Sequence, residues 1–134
     1  MIFVIYGNPI TKKNSQKIVF IGKKCPVCHK GQRALPIQSD AYKQYERDAL
    51  LQLARSIPAK PIDYPVNIEC KYFMRDNRRI DLTNLLEATG DILVAAGIIS
   101  DDNCKIIVSH DGSRVFVDKD TPRCVITITE QKEN

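Results

Sequence analysis

Two kinds of apolar segment alternate along this 134-residue chain, which predicts an α+β fold with two helices on a mixed, mainly antiparallel sheet. Short runs rich in β-branched and aromatic residues indicate strands, and two longer segments with helical periodicity indicate helices. The expected order is β-β-(β)-α-β-α-β-β-β. Neither a linker nor an internal repeat divides the chain, so we expect one domain over residues 1–134, long enough to bury a core without disulfides.

Three short strands and a helix are expected in the first half of the chain. The strands are apolar runs bounded by polar, glycine or proline residues, at 2–6, 17–21 and 34–37. The last two are expected to pair as a hairpin around a turn at 22–31. Ser39 is the predicted N-cap of a helix that runs to about residue 57, where prolines follow. Tyr6 and Phe20 lie in strand patterns, which favours core positions over exposed ones that would wedge between DNA bases.

The second half is expected to contain four strands and a second helix. The strands are predicted at 66–74, 105–108, 115–117 and 123–129. The helix is predicted over 81–96, because its apolar residues fall on one stripe at 100° per residue. That stripe consists of Leu82, Leu85, Leu86, Thr89, Ile92, Leu93 and Ala96. Gly97 fits the left-handed position that commonly ends a helix.

Basic residues are concentrated at the start of the chain. The formal net charge is +4, but residues 1–39 contain seven Lys or Arg residues and no acid, so the remainder is net −3. Such a segment either contacts a polyanion or forms a solvated basic hairpin.

Acidic and amide side chains cluster around the second predicted helix. Asp81, Asn84, Glu87 and Asp91 lie outside its apolar stripe, and Asp101-Asp102-Asn103 follow its end. Mg²⁺ takes oxygen ligands and keeps several waters, so two or three carboxylates beside a phosphate are enough for a nuclease site. Asp81 and the later pair can share an ion only if the chain folds back along the helix. The alternatives are an N-cap for Asp81, a solvated turn for the pair, and solvent-facing positions for the rest.

One run of residues resembles a known family. Asp81-Leu82-x-Asn84-Leu85, followed by Asp91, Gly97 and Asp101-Asp102, is similar to the pattern of the RusA-type Holliday junction resolvases, and the likeness extends over roughly residues 64–130. The resemblance implies a small homodimeric, Mg²⁺- or Mn²⁺-dependent endonuclease. Such an enzyme cuts four-way DNA junctions in recombination and repair, often in phage or prophage.

The resemblance also implies roles for particular carboxylates. Asp81 and Asp102 would be catalytic, metal-binding residues, with Asp101 beside them. Two positions depart from the family pattern, since Thr83 stands where a second Asp is common and Glu87 where a Lys is common. Glu87 lies one turn from Thr83, so its longer side chain is a candidate for the missing carboxylate.

Contacts with DNA are expected from basic and amide residues before and around the site. Phosphate neutralisation gives affinity without reading sequence. The expected contacts are Lys12, Lys13, Asn14, Lys17, Arg78, Arg79, Asn84 and Lys105, of which Arg78, Arg79 or Lys105 would replace the missing lysine. Asp76 is a second candidate for the missing carboxylate. The alternative function is a protein that binds branched or single-stranded DNA without cleaving it.

A cysteine knuckle lies in the turn at 22–31, between the two hairpin strands. Cys25, Cys28 and His29 have the spacing of half a zinc ribbon, so a structural Zn²⁺ is possible there. Its remaining ligands would come from a dimer partner or from Cys70, Cys104, His110 or Cys124. Free cysteines, a redox pair and a c-type haem attachment are the other interpretations. A zinc-knuckle interaction or redox protein, with Cys25 and Cys28 as its active part, is a third function class.

The sequence gives no sign of membrane insertion. No stretch approaches the about 20 apolar residues of a membrane span, and residues 1–6 lack the features of a signal peptide. Five cysteines, an odd count, favour a reducing cytoplasm with free or metal-bound thiols.

Overall fold

A computed structural model of the chain describes residues 1–12, 16–22 and 33–132, with the backbone alone for 16–21 and 33–38. Within these ranges the elements follow the predicted order. They are β1 (Ile2–Tyr6), β2 (Gln16–Ile21), β3 (Arg33–Gln38), α1 (Asp40–Leu53), β4 (Val66–Met74), α2 (Leu82–Ala95), β5 (Ile107–Ser109), β6 (Arg114–Val117) and β7 (Arg123–Glu130). The predicted α+β class, with two helices and a mixed sheet, is confirmed.

The main sheet is built around β4. On one side of the sheet β1 pairs with β7 and β7 pairs with β4, both antiparallel. On the other edge of β4, both β5 and β6 pair with it in parallel. The predicted hairpin of β2 and β3 is present, but it forms a two-stranded sheet of its own. These two strands therefore satisfy their hydrogen bonds with each other and add no strand to the main sheet.

Both helices pack on one face of the main sheet. Alternate residues of β4, from Val66 to Met74, are buried, as the period of two predicts. Ser39 caps α1 as expected, since its Oγ accepts a hydrogen bond from the backbone N–H of Tyr42 at 3.1 Å. The apolar stripe of α2 enters the same core through Leu85, Ala88, Ile92 and Leu93.

The prediction that Tyr6 belongs to the core is wrong. Its side chain is 58% exposed, because Phe3 and Ile5 face the helices and Tyr6 therefore points to the opposite face of β1. Phe20 lies in β2, whose side chains are outside the described part of the structure. No helix within the described ranges is long and apolar enough to cross a membrane.

The chain turns back sharply after α2. Gly97 has φ +78°, the left-handed conformation that ends a helix, and the N–H of Ile98 donates to the carbonyl of Leu93 at 3.0 Å. Ile62 then holds the returning segment, since its N–H donates to the carbonyl of Ile98 and its carbonyl accepts from Ser100. This double link fixes the position of the acidic residues that follow.

Candidate functional site

Asp102 lies against the middle of α2. A Cβ atom added to Gly90 would be 3.7 Å from the Cβ of Asp102 and 4.0 Å from its Oδ2. The chain therefore does fold back along the helix, as a shared carboxylate site requires. These are ordinary van der Waals distances, so Asp102 lies directly beside the helix at Gly90.

The two neighbouring aspartates have different surroundings. The Oδ1 of Asp101 accepts a hydrogen bond from the N–H of Asp102 at 2.7 Å, and its Oδ2 accepts one from the Nδ2 of Asn103 at 2.9 Å. These bonds, the backbone one foremost, lower the pKa of Asp101. Both carboxylate oxygens of Asp101 thus hold the loop in shape.

The carboxyl of Asp102, in contrast, has a raised pKa. Desolvation is the largest cause, followed by the hydrogen bond with Asp101, and the negative charges of Asp91 and Asp101 add to it. A carboxylate crowded by like charges is stabilised when a cation binds beside it. Asp102 is therefore the member of the pair that suits a metal.

Asp102 shares a pocket with Glu87. The pocket has a volume of about 220 Å³ and lies between α2, the loop after it and the start of the β5–β6 connection. Its lining residues are Thr83, Leu86, Glu87, Gly90, Asp102, Ile107 and His110. Thr83 and Glu87, the two departures from the family pattern, thus face the same space as Asp102.

His110 is a pocket residue that the sequence suggested only as a possible zinc ligand. Its Nδ1 lies 2.8 Å from the carbonyl oxygen of Ile68, which can only accept, so Nδ1 carries a proton and Nε2 is left for other partners. Asn67 fixes the turn that carries the ring, because its Oδ1 accepts from the hydroxyl of Ser109 at 2.6 Å and the N–H of Asp111 at 2.8 Å. Only the pairing of β5 beside β4 brings this histidine to Asp102, and no local pattern signals it.

Asp81 lies at the start of α2 and does not line this pocket. Its backbone carbonyl accepts from the N–H groups of Asn84 and Leu85, so it has the N-cap position. Its side chain accepts no hydrogen bond from the helix backbone and instead lies 3.4 Å from the Nδ2 of Asn84. It lies nine positions before Gly90, which corresponds to about 13.5 Å along the helix axis. The structure therefore brings Asp102 together with Glu87 and leaves Asp81 outside their pocket.

Lys12 is held in an ion pair. Its Nζ lies 2.7 Å from the Oδ2 of Asp91 and 5.7 Å from the centroid of the Tyr42 ring. The pair links the loop after β1 to α2. In this structure the charge of Lys12 is paired with Asp91, and its contact with DNA phosphate stays a prediction.

A second pocket precedes Asp81. It has a volume of about 190 Å³, and its lining includes the apolar residues Met74 and Ile80 as well as Arg75, Arg78 and Arg79. Asp76 accepts a hydrogen bond from the N–H of Arg78 at 3.1 Å, so its carboxylate serves this turn and not the Asp102 pocket. We call the second pocket, lined by Arg75, Arg78 and Arg79, the arginine pocket. The predicted DNA contacts Arg78 and Arg79 therefore occupy one surface.

The other predicted residues are placed as follows. Asn84 is half-buried on α2, and Lys105 is exposed on the loop beyond Asp102. The knuckle residues Cys25, Cys28 and His29, together with Lys13 and Asn14, lie outside the described residues, as does the side chain of Lys17. Two cysteines suggested as further zinc ligands, Cys70 and Cys124, are buried in the core, whereas Cys104 is exposed.

The donor set fits a hydrated divalent ion better than a fully caged one. Among the described residues, no group of three or more His, Cys, Asp or Glu side chains is close enough to hold a metal. Two carboxylates in one pocket, one of them with a pKa raised by desolvation first and by neighbouring negative charge as well, match the few protein ligands that Mg²⁺ needs when waters and substrate phosphate complete its shell. Asp102 and Glu87 would hold such an ion.

Comparison with known proteins identifies the family. The profile of the family described as Endodeoxyribonuclease RusA matches residues 21–129. The crossover junction endodeoxyribonuclease RusA of Aquifex aeolicus (strain VF5) is 27% identical over 59 residues, which are 44% of this chain and 47% of that relative. The match thus spans about half the length of the curated relative. Because the family profile covers most of the chain, this protein belongs to the RusA endodeoxyribonuclease family.

Proposed function

We propose that this protein is a Mg²⁺- or Mn²⁺-dependent endonuclease that cleaves four-way DNA junctions. The observation that carries the proposal is the pocket shared by Asp102 and Glu87 in a chain of this family. A metal bound there would lower the pKa of a water and stabilise negative charge on the phosphate. Asp102 and Glu87 would hold the ion, and Asp101 would keep the loop in position through its two hydrogen bonds.

His110 completes the pocket with a fixed imidazole. With Nδ1 bonded to the Ile68 carbonyl, Nε2 is the ring atom that can hydrogen-bond a water or a phosphate oxygen in the pocket. Its position is preorganised by the Asn67 bonds to the turn, so little ordering is needed when substrate binds.

Asp81 enters the proposal through the resemblance alone. It would act as a metal-binding carboxylate if the DNA complex moves the first turn of α2 or the Asp101–Asn103 loop, and as an N-cap residue otherwise. Its neighbour Ile80 lines the arginine pocket, so a DNA strand that passes from Arg78 and Arg79 toward Asp102 would run by Asp81.

DNA would be held by the exposed basic side chains on this surface, with Arg78, Arg79 and Lys105 as phosphate contacts. A homodimer would present two such sites to a junction that is itself nearly two-fold symmetric. Paired nicks in opposed strands require paired sites, so dimerisation would serve the reaction directly.

A synthetic four-way junction incubated with Mg²⁺ or Mn²⁺ tests the proposal. We expect nicking by the wild-type protein, and losses of at least about 100-fold for Asp102→Asn and Glu87→Gln with junction affinity largely retained. Asp48→Asn is the matched control, because Asp48 is an exposed carboxylate on α1 that accepts a hydrogen bond from Gln44 of the same helix and does not line the pocket. Nicking by both site variants at the wild-type rate would refute the Asp102–Glu87 site.

A second candidate function is binding of branched or single-stranded DNA without cleavage. It is favoured by Thr83 and Glu87, which replace a carboxylate and a lysine of the family pattern. A mobility shift of the junction without nicking in either metal would select it over the endonuclease.

A further inference from the structure

Four side chains form a row across one end of the main sheet. The strand register places Tyr6 of β1 opposite Arg123 of β7, Arg123 opposite Phe73 of β4, and Phe73 opposite Phe116 of β6. Residues directly paired across strands lie on the same face of a sheet. We call these four residues the stacking row, and it lies on the face opposite to the helices.

The middle of the stacking row is rigidly stacked. The guanidinium carbon of Arg123 lies 3.9 Å from the centroid of the Phe73 ring, and the rings of Phe73 and Phe116 are 5.0 Å apart with an interplanar angle of 16°. Asp118 and the carbonyl of Thr121 fix the guanidinium, accepting hydrogen bonds from its Nη1 at 2.9 and 2.8 Å. The side chains therefore form an ordered stack on the sheet.

The two ends of the row are exposed. Tyr6 lies on edge strand β1 and is 58% exposed, and Phe116 lies on β6 at the other edge and is 36% exposed. Two accessible aromatic faces on edge strands are costly to leave in water, and such exposed apolar groups mark interaction sites. The row thus offers flat surfaces on which another planar group can stack.

The charge beside the row favours a polyanion. In the adjacent row of the same face, Lys71 is paired with Arg114 in the strand register. Arg114 is exposed and makes no ion pair within the described residues, and Lys71 lies 3.5 Å from Glu69. Arg114 therefore offers a cation on this face that a nucleic-acid phosphate would neutralise.

The row also adjoins the arginine pocket. Tyr6 and Phe73 lie at the ends of β1 and β4, and the segments that follow them are joined by a hydrogen bond from the N–H of Arg75 to the Oδ1 of Asn8 at 3.0 Å. Asn8 and Arg75 both line the arginine pocket. Phosphates held at the arginines would therefore place the attached bases near the stacking row.

We propose that the stacking row binds unpaired nucleobases of branched DNA. The bases stack on Tyr6 and Phe116, while Arg114 and Lys71 contact the backbone; this inference rests on the proposed DNA-processing function. Stacking on an aromatic side chain is tolerant of sequence because every base has a π-face. The row would thus hold the strand that is unpaired at a branch point.

DNA binding in EDTA, measured by fluorescence anisotropy, tests this proposal. The probes are a fluorescein-labelled oligo-dT 15-mer and a matched duplex. Tyr6→Leu and Phe116→Leu keep an apolar side chain and remove the π-face. We expect each to weaken oligo-dT binding about ten-fold and duplex binding less than about two-fold. Tyr64→Leu is the matched control, since Tyr64 is an exposed tyrosine outside the row, and it should leave both affinities unchanged.

Three results would overturn the proposal. The first is oligo-dT binding by both row variants at wild-type affinity, and the second is an equal loss for oligo-dT and duplex. The third is a wild-type protein that sediments as a dimer while Tyr6→Leu or Phe116→Leu sediments as a monomer, which would make the row an interface between copies. Junction nicking by the wild-type protein is scored separately, so these results can refute the stacking row while the proposed endonuclease stands.

Discussion

Replacing Lys12 with methionine separates two roles of this side chain. Its place in a basic loop predicts a phosphate contact, whereas the structure pairs its Nζ with Asp91 at 2.7 Å and places it 5.7 Å from the Tyr42 ring. The Lys12 and Asp91 side chains are only 27% and 34% exposed, so their attraction is screened less than that of a surface pair. Lys12 is therefore expected to stabilise the fold more than it binds DNA.

The expected magnitude follows from these two contacts. An exposed ion pair contributes about 0.2–1 kcal/mol and a partly exposed cation–π contact about 0.5–1 kcal/mol. Lys12→Met should therefore lower the free energy of unfolding by about 1–2 kcal/mol. Lys60→Met is the control, because Lys60 pairs with Asp63 at 3.3 Å with both side chains well exposed, so its loss should lie near the low end of that range of about 0.2–1 kcal/mol.

Urea unfolding, monitored by circular dichroism, measures the contribution of Lys12 to stability. The salt dependence of junction binding measures its contribution to phosphate contact. We expect a lower urea midpoint for Lys12→Met and an unchanged slope of log K against log salt concentration. The reasoning is refuted if the midpoint equals that of Lys60→Met while the salt slope falls by about one, since each phosphate contact contributes about 0.9 to that slope.

Three further predictions concern the pocket and the core below it. The metal needs the ionised carboxylate of Asp102, whose pKa is raised, so the nicking rate should rise with pH through a range above the pKa of an ordinary aspartate. Asp91→Asn removes a neighbouring negative charge, so it should shift this rise to lower pH in a pH–rate profile. The buried hydroxyl of Tyr72 lies 2.7 Å from Thr89 Oγ1, and Thr89→Val removes this partner. The free energy of unfolding, measured in urea, should fall by about 1–3 kcal/mol. An unchanged free energy of unfolding would contradict the buried hydrogen bond. His110→Asn can keep the hydrogen bond to the β4 carbonyl but lacks Nε2, so single-turnover nicking should fall about ten-fold or more with an unchanged Kd; equal turnover would remove His110 from the site.

The elements that were predicted correctly are those whose pattern repeats locally. Period-two burial in β4 and the apolar stripe of α2 each depend on side chains within one element, and Ser39 and Gly97 mark ends through their own backbone chemistry. The error at Tyr6 has a different origin. Alternation assigns residues to two faces of a strand, but it does not say which face the helices cover.

The site depends on contacts that no local pattern contains. The turn at Gly97 makes a return of the chain predictable, but the place where Asp102 meets α2 depends on the hydrogen bonds of Ile62 to the returning segment. His110 reaches the pocket only through the parallel pairing of β5 with β4. The pairing of Lys12 with Asp91 joins residues far apart in the chain, so a charge pattern along the sequence could not predict this ion pair.

The metal site is tested most directly by Mn²⁺ binding to the wild-type protein and to four carboxylate variants. Electron paramagnetic resonance would measure this binding on the protein with a bound four-way junction. We predict that Asp102→Asn and Glu87→Gln each lose the protein-dependent Mn²⁺ signal change and that Asp48→Asn retains it. Loss with Asp81→Asn as well would add Asp81 to the site in the DNA complex. Full Mn²⁺ binding by both Asp102→Asn and Glu87→Gln would contradict a metal centre in their shared pocket.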